Sequence, residues 1–140
     1  MDWIRTVNVL IIDDDPDVRE MLQHMLERRS YRVYIAADGA EALKICREFS
    51  IHVALTDIMM PNMDGLEFLK QAHNVNPKLE VVMITGQSTV ARCVKAIEYG
   101  ACGYLVKPVT IDDIVKAIGL ATQSIFHKAE MLEKALHQSG

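Results

Sequence analysis

The stretch VNVLIIDDDPDVREMLQHMLERR, residues 7–29, contains the change of pattern that decides the fold. It opens with a short apolar run rich in β-branched side chains, which is typical of a buried strand. Asp15 and Pro16 then provide a helix N-cap and a proline at the first helical position. Beyond them, apolar side chains recur at the spacing of one buried helical face: Val18, Met21, Leu22, Met25 and Leu26. The stretch therefore predicts one strand followed by one helix.

The same alternation occurs four more times, with apolar runs at residues 33–36, 52–56, 81–84 and 103–106. The segments between these runs carry helix signals: Asp38, Asp64, Ser88 and Thr110 are predicted N-caps, and Gly100 is the predicted end of the fourth helix. Near-continuous apolar strands that alternate with helices favour a parallel sheet covered on both faces and joined by right-handed crossovers. The sequence thus predicts an α/β fold, a doubly wound five-stranded parallel sheet with five helices.

The composition of the chain excludes several classes of protein. Its 140 residues, half of them apolar and 24% charged, are ordinary for one globular domain. No apolar run approaches the roughly 18 residues of a membrane span. The net charge of −4 gives no electrostatic footprint for nucleic acid, and three cysteines without a CxxC motif favour a reducing compartment. We therefore expect a cytoplasmic protein that binds neither nucleic acid nor a membrane.

The last predicted helix is longer than the sheet beneath it. Between Ile111 and Gln138 there is no proline, and no glycine after Gly119, so this helix spans about 28 residues or 42 Å. Its apolar side chains step by three or four residues: Ile111, Ile114, Ile118, Ala121, Ile125, Ala129, Leu132 and Leu136. We expect a globular domain over residues 1–123 and a helical extension over 124–140, which pairs with a second chain to form a homodimer. The alternative is a frayed tail or a helix folded back on its own domain.

Acidic residues follow two of the predicted strands. Asp13 and Asp14 come after the first strand, and Asp57 comes after the third. Ligands of open α/β sheets bind outside the carboxyl ends of the strands, so these carboxylates converge if the two strands are neighbours. Mg²⁺ prefers such oxygen ligands and relieves their mutual repulsion. The alternative is that acids at strand ends only cap helices or lie in solvated turns, which is our interpretation of Asp15, Asp38 and Asp64.

Two more polar residues follow the later strands. Thr85 comes after the fourth strand, and Lys107 comes after the fifth and precedes Pro108. A hydroxyl and an ammonium at the same sheet edge as three carboxylates suit a phosphoryl group, because each can contact its oxygens. Each of these residues is a weak signal by itself, but the combination of four strand ends with complementary chemistry is a specific indication of such a site.

With these motifs, the sequence resembles the receiver domain of two-component response regulators. The matching pieces lie at residues 11–15, 55–65, 84–86 and 100–108, and the resemblance covers about residues 5–123. It implies a flavodoxin-like sheet with strand order 2-1-3-4-5. It also implies a cis peptide bond between Lys107 and Pro108.

The resemblance implies a role for each site residue. Asp57 is the phosphoryl acceptor, and Asp13, Asp14, Asp57 and the backbone carbonyl of Met59 hold Mg²⁺. Thr85 and Lys107 contact the phosphoryl group, and Tyr104 moves inward with Thr85. The phosphoryl donor is a sensor histidine kinase or a phosphotransfer protein, and the chain is not a multiple-turnover enzyme. The positions of Met59 and Gln87 tune the loss of the phosphoryl group.

Other functions stay open at this level. A Mg²⁺-dependent aspartyl phosphatase of the haloacid dehalogenase type begins with a similar acidic motif, but it needs Thr or Val where Asp17 stands. A receiver-like module without phosphorylation typically lacks one of the acids, the threonine or the lysine, and here all are present. The chain can also be a fragment of a longer regulator or hybrid kinase, in which the receiver controls an absent output domain.

Overall fold

The computed structural model of the chain describes residues 6–60, 63–86 and 90–138. Strands and helices alternate strictly in these residues: β1 Asn8–Ile12, α1 Pro16–Glu27, β2 Arg32–Ala36, α2 Gly39–Glu48, β3 Val53–Asp57, α3 Gly65–Val75, β4 Glu80–Thr85, α4 Val90–Glu98, β5 Gly103–Val106 and α5 Ile111–Gln138. The five strands form one parallel sheet in the order β2-β1-β3-β4-β5. The predicted fold class, strand order and number of helices are therefore confirmed.

Alternate residues of the strands face two separate apolar layers. On one side, Leu10 and Ile12 of β1 belong to a buried cluster with α2 and α3, in which Phe68 is fully buried. On the other side, Val9 and Ile11 belong to a cluster with α1 and α5. Burial on both faces explains why the strands are nearly continuous apolar runs, as expected for a parallel sheet.

Side chains cap the helices where the sequence predicts. Asp15, Asp38 and Asp64 accept hydrogen bonds from the backbone N–H groups of Asp17, Glu41 and Glu67, respectively, each at 2.9 Å. Thr110 and Asp113 exchange reciprocal hydrogen bonds of 3.1 Å at the start of α5, a capping-box arrangement. Gly100 follows α4 with a φ of +97°, a left-handed conformation that favours glycine. Ser88 lies outside the described residues.

The helix α5 has the predicted length of 28 residues and leaves the domain along its course. Ile114, Ile118 and Ala121 are buried against the sheet. Ile125 still packs against the edge of that cluster, whereas Leu132 and Leu136 of the same apolar stripe are exposed. The end of α5 therefore overhangs the domain as an exposed helix.

Two expectations about buried residues are wrong. Met21 is 50% exposed because only Leu22 and Leu26 of α1 are fully covered, and Met21 lies at the edge of that buried face. Cys46, Cys93 and Cys102 fall on predicted helix or strand positions, from which we expect buried or half-buried side chains. Cys46 is buried as expected, whereas Cys102 is exposed because it precedes the edge strand β5. The side chain of Cys93 lies outside the described residues.

No helix in the part of the chain that the structure describes is both long and apolar enough to span a membrane.

Candidate functional site

The sheet topology brings four chain segments to one edge. The strands β1, β3, β4 and β5 are consecutive neighbours and parallel, so their carboxyl ends lie side by side. Asp13 follows β1, Asp57 is the last residue of β3, Thr85 is the last residue of β4, and Lys107 follows β5. The four residues that the sequence singles out at strand ends therefore share one edge of the sheet.

A lysine joins the two carboxylates at the centre of this site. The Nζ of Lys107 donates a hydrogen bond to Oδ2 of Asp57 at 2.9 Å and lies 3.9 Å from Oδ2 of Asp13. The carboxylate side chains are only 14% and 11% exposed, respectively, whereas that of Lys107 is 38% exposed. One ammonium thus stands between two partly buried acids that are 44 positions apart in the sequence.

Backbone N–H groups fix the second oxygen of each carboxylate. Oδ1 of Asp57 accepts a hydrogen bond of 3.0 Å from the N–H of Met59, and Oδ1 of Asp13 accepts one of 2.9 Å from the N–H of Asp15. The guanidinium of Arg19 in α1 donates to the backbone carbonyl of Asp13 at 2.7 Å. Both acids are therefore held in orientation before any ligand arrives, with Arg19 steadying the backbone of Asp13.

A glycine allows the loop after β3 to return close to the strand end. The N–H of Gly65 donates to the carbonyl of Ile58 at 2.7 Å. A Cβ at this position would lie 2.4 Å from the carbonyl oxygen of Asp57 and 2.8 Å from Cα of Ile58. Only glycine fits, because the start of α3 rests directly on the backbone that carries Asp57. The sequence reasoning missed this contact and that of Arg19, since neither leaves a local pattern.

The electrostatics of the site show how the acids depend on the lysine. Burial raises the pKa of Asp13, although the N–H of Asp15 and the charge of Lys107 oppose this change. For Lys107, burial alone lowers the pKa, but the hydrogen bond and charge of Asp57, with the charges of Asp13 and Asp14, outweigh it. The net pKa of Lys107 is raised, so its ammonium stays protonated and available to oxygen ligands.

Two openings reach Asp57 from different sides. A cavity of about 340 Å³ is lined by Asp57, Met59, Thr85, Gly86 and Lys107. A second cavity, of about 240 Å³, lies between α1 and the loop after β5 and has mostly apolar walls. It is lined by Ile11, Ile12, Asp13, Val18, Met21, Leu22, Leu55, Thr56, Asp57, Ile84, Lys107, Pro108 and Val109. A small charged group can therefore reach Asp57 through the first opening, whereas the walls of the second cavity are mostly apolar.

Not every predicted site residue joins this arrangement. Thr85 is fully buried and lines the cavity beside Asp57. Asp14 is exposed, and its charge acts on Asp13 and Lys107. Tyr104 is 40% exposed and lines a different cavity, between β5 and α5. The peptide bond between Lys107 and Pro108 is cis, as the resemblance predicts, and Gln87 lies outside the described residues.

The donor set fits a hard divalent cation with water in its coordination shell. Within residues 6–60, 63–86 and 90–138, no group of three His, Cys, Asp or Glu side chains forms a complete metal cage. Mg²⁺ does not need one, because it is usually bound by one or two carboxylates, waters and phosphate oxygens. The partly buried carboxylates of Asp13 and Asp57 match that requirement.

Comparison with solved structures shows the class of protein to which this fold belongs. The chain superposes on a CheY-like response regulator receiver domain protein from Methanospirillum hungatei JF-1 with a TM-score of 0.85 and 31% identity, over 89% of this chain and 99% of the other. It matches the chemotaxis protein CheY4 of Vibrio cholerae with a TM-score of 0.79 and 30% identity, over 84% and 99% of the two chains. These similarities place the fold among CheY-like receivers.

The family follows from the sequence comparison. The model of the response regulator receiver domain matches residues 9–119, so the chain belongs to this family of two-component signalling domains. The transcriptional regulatory protein ZraR of Klebsiella oxytoca is 39% identical over 108 residues, which are 77% of this chain and 24% of ZraR. The response regulator MprA of Mycobacterium sp. (strain KMS) is 34% identical over 109 residues, which are 78% of this chain and 47% of MprA. The chain thus spans a quarter to a half of the length of these relatives.

Proposed function

We propose that this chain is a phosphoryl-accepting switch, in which Asp57 takes the phosphoryl group from a phosphohistidine of a histidine kinase or phosphotransfer protein. A carboxylate oxygen of Asp57 attacks phosphorus in line, a P–O bond forms, and the P–N bond breaks with its electron pair left on the imidazole. The chain then loses the phosphoryl group slowly to water and is not a multiple-turnover enzyme. Catalysis in such transfers consists mainly of positioning and charge stabilisation.

The observation that carries this proposal is the contact between Lys107 and Asp57. The 2.9 Å hydrogen bond places a protonated ammonium beside the carboxylate that the incoming group must reach. An ammonium there offsets negative charge on the transferred group, which is where electrostatic stabilisation is most effective. Asp57 is also held by the N–H of Met59, so its orientation is fixed in advance.

Asp13, Asp14, Asp57 and the backbone carbonyl of Met59 would hold Mg²⁺ in this site. When bound, Mg²⁺ neutralises charge on phosphate oxygens and offsets the repulsion among the carboxylates. The partial burial of Asp13 and Asp57 supports this assignment, since two acids that share one lysine retain excess negative charge.

We also propose that Thr85 and Tyr104 couple the site to the surface. Thr85 shares a cavity with Asp57, so its hydroxyl can move to a new phosphoryl oxygen over a short path. Tyr104 is half-exposed on β5, and its inward movement would change the surface formed by α4, β5 and α5. Phosphorylation would thereby shift an equilibrium between two existing arrangements.

The test adds Mg²⁺ with acetyl phosphate and measures the intact mass of the protein, or adds Mg²⁺ with beryllium fluoride and measures the fluorine NMR signal of the bound group. We expect one phosphoryl group on the protein, located at Asp57 by peptide mapping, and none without Mg²⁺. Asp57→Asn should abolish the modification. The matched control is Asp38→Asn, which replaces a half-exposed carboxylate away from the site by another good helix cap and should be modified like the wild type. Equal modification of the Asp57→Asn protein would refute the assignment.

The exposed end of α5 suggests how the signal leaves the domain. We propose that residues 1–123 form the receiver and residues 124–140 a helical extension that pairs with a second copy, in the cytoplasm, as part of a longer regulator. The exposure of Leu132 and Leu136 on the stripe that begins in the core supports this pairing. About two heptads are available, so the dimer of this chain alone is weak.

Light scattering at high micromolar concentration tests the pairing. We expect dimers for residues 1–140 and monomers for a chain that ends at Gln123. In the full chain, Leu132→Glu should give monomers, whereas His127→Glu, on the other side of the exposed helix, should not. Monomers in all cases, with and without beryllium fluoride, would show that the extension does not dimerise.

A further inference from the structure

Three methionines in the segment after β3 have very different environments. The side chain of Met59 is 51% exposed. Met60 and Met63 are partly buried and pack against the core, and the hydroxyl of Thr56 lies 3.6 Å from the sulfur of Met60. The side chain of Met63 fills the space in which a Cβ on Gly39 would lie. Solvent oxidants can therefore reach Met59 more easily than its two neighbours.

Met59 also lies at the opening to Asp57. Its N–H donates to Oδ1 of Asp57, and it lines the cavity of about 340 Å³ with Thr85, Gly86 and Lys107. A thioether is only a weak hydrogen-bond acceptor. The cavity thus has an apolar, oxidisable side chain beside the atom that carries the phosphoryl group in the proposed function.

We propose that Met59 is an oxidant-sensitive modification site that shortens the lifetime of the phosphoryl group on Asp57. Hydrogen peroxide transfers one oxygen atom to the Met59 sulfur, which loses two electrons, and the peroxide is reduced to water. The resulting sulfoxide is polar, and methionine sulfoxide reductases can reverse it. This inference rests on the proposed function, since it concerns the stability of the phosphorylated form.

The effect follows from the chemistry of hydrolysis. A water oxygen must attack phosphorus, after which the P–O bond to Asp57 breaks and inorganic phosphate leaves with the carboxylate restored. The sulfoxide oxygen accepts a hydrogen bond from that water and holds it in the cavity. One neutral hydrogen bond of this kind corresponds to about a fivefold acceleration.

The order in which peroxide oxidises the methionines is tested on the unphosphorylated protein. Under limiting peroxide, peptide mapping should show Met59 oxidised well before Met60 and Met63. Met131, which is 54% exposed on the distant end of α5, reports the rate of an unhindered methionine. Oxidation of Met60 or Met63 at the same rate as Met59 would overturn the inference.

The functional effect is tested on the phosphorylated full chain in a Met21→Leu background, because Met21 is exposed and lines the second cavity. The half-life of the phosphoryl group should fall about fivefold after peroxide treatment and recover after reduction by sulfoxide reductases of both stereospecificities. The fall should persist with Met131→Leu and vanish with Met59→Leu, each protein being compared with itself before treatment.

The outcomes separate the two hypotheses. An unchanged half-life in fully oxidised protein, or an equal fall in the Met59→Leu protein, contradicts the inference alone. A failure of the untreated protein to take up a phosphoryl group on Asp57 contradicts the proposed function and, with it, the inference.

Discussion

Replacement of Gly65 by alanine tests whether the approach of α3 to β3 positions the acceptor. The new Cβ would lie 2.4 Å from the carbonyl oxygen of Asp57 and 2.8 Å from Cα of Ile58, and both contacts are with backbone. The carbonyl must move away by about 1 Å to reach an ordinary van der Waals distance. The 2.7 Å hydrogen bond from the N–H of Gly65 to the carbonyl of Ile58 ties the start of α3 to this segment, so the two cannot separate freely and we expect the backbone at Asp57 to shift.

Two measurable losses should follow in Gly65→Ala. Overpacking of this kind lowers the free energy of unfolding by about 1–3 kcal/mol, which urea denaturation measures. A displacement of about 1 Å at a reacting group costs on the order of 10²-fold in rate, so phosphorylation by acetyl phosphate should slow by that factor. The two readouts separate a positional effect from a purely structural one.

Gly119→Ala provides the matched control. A Cβ at Gly119 meets no atom within 4 Å, and the residue lies inside α5. Alanine there should raise the free energy of unfolding by up to about 1 kcal/mol and leave phosphorylation unchanged. Wild-type stability together with a wild-type phosphorylation rate in Gly65→Ala would refute the proposed positioning by this glycine.

Two more predictions concern the charges and the thiols. Lys107→Met removes the cation between Asp13 and Asp57. The affinity for Mg²⁺, measured by titration calorimetry, should therefore rise several-fold, while phosphorylation should slow. The control Lys44→Met, at an exposed lysine, should show neither change. Burial raises the pKa of Cys46 to about 11, although Arg47 opposes this, so little thiolate forms at mildly alkaline pH. Iodoacetamide should label exposed Cys102 before Cys46, which should react only on unfolding. Equally fast labelling of these two would contradict the packing.

The fold could be predicted because its signals are local. Hydrophobic runs, cap residues and Gly100 identify strands and helices without any knowledge of their partners, and Asp38 and Thr110 cap helices as predicted. The exposure of Met21 could not be predicted, since helical spacing identifies the buried face of a helix but not how far the neighbouring elements cover that face. The same holds for Cys102, whose exposure depends on β5 being an edge strand.

The candidate site shows a similar division. The residues at strand ends could be identified because parallel topology brings them together, as the contact of Lys107 with Asp57 illustrates. The supports of the site escaped the sequence reasoning, because Arg19 and Gly65 act through backbone atoms of other segments. The place of Tyr104 also required coordinates, since its side chain lines a separate cavity in this structure.

The continuity of α5 makes the last helix a lever arm. Its first half packs on β3 and β4 beside α1, and its second half projects into solvent without a break in the helix. The projecting 13 residues after Ile125 measure about 20 Å, so a 10° tilt of the embedded half displaces the tip by about 3.5 Å. Small rearrangements beside the sheet are thereby enlarged at the end of the chain, in proportion to the length of helix that follows.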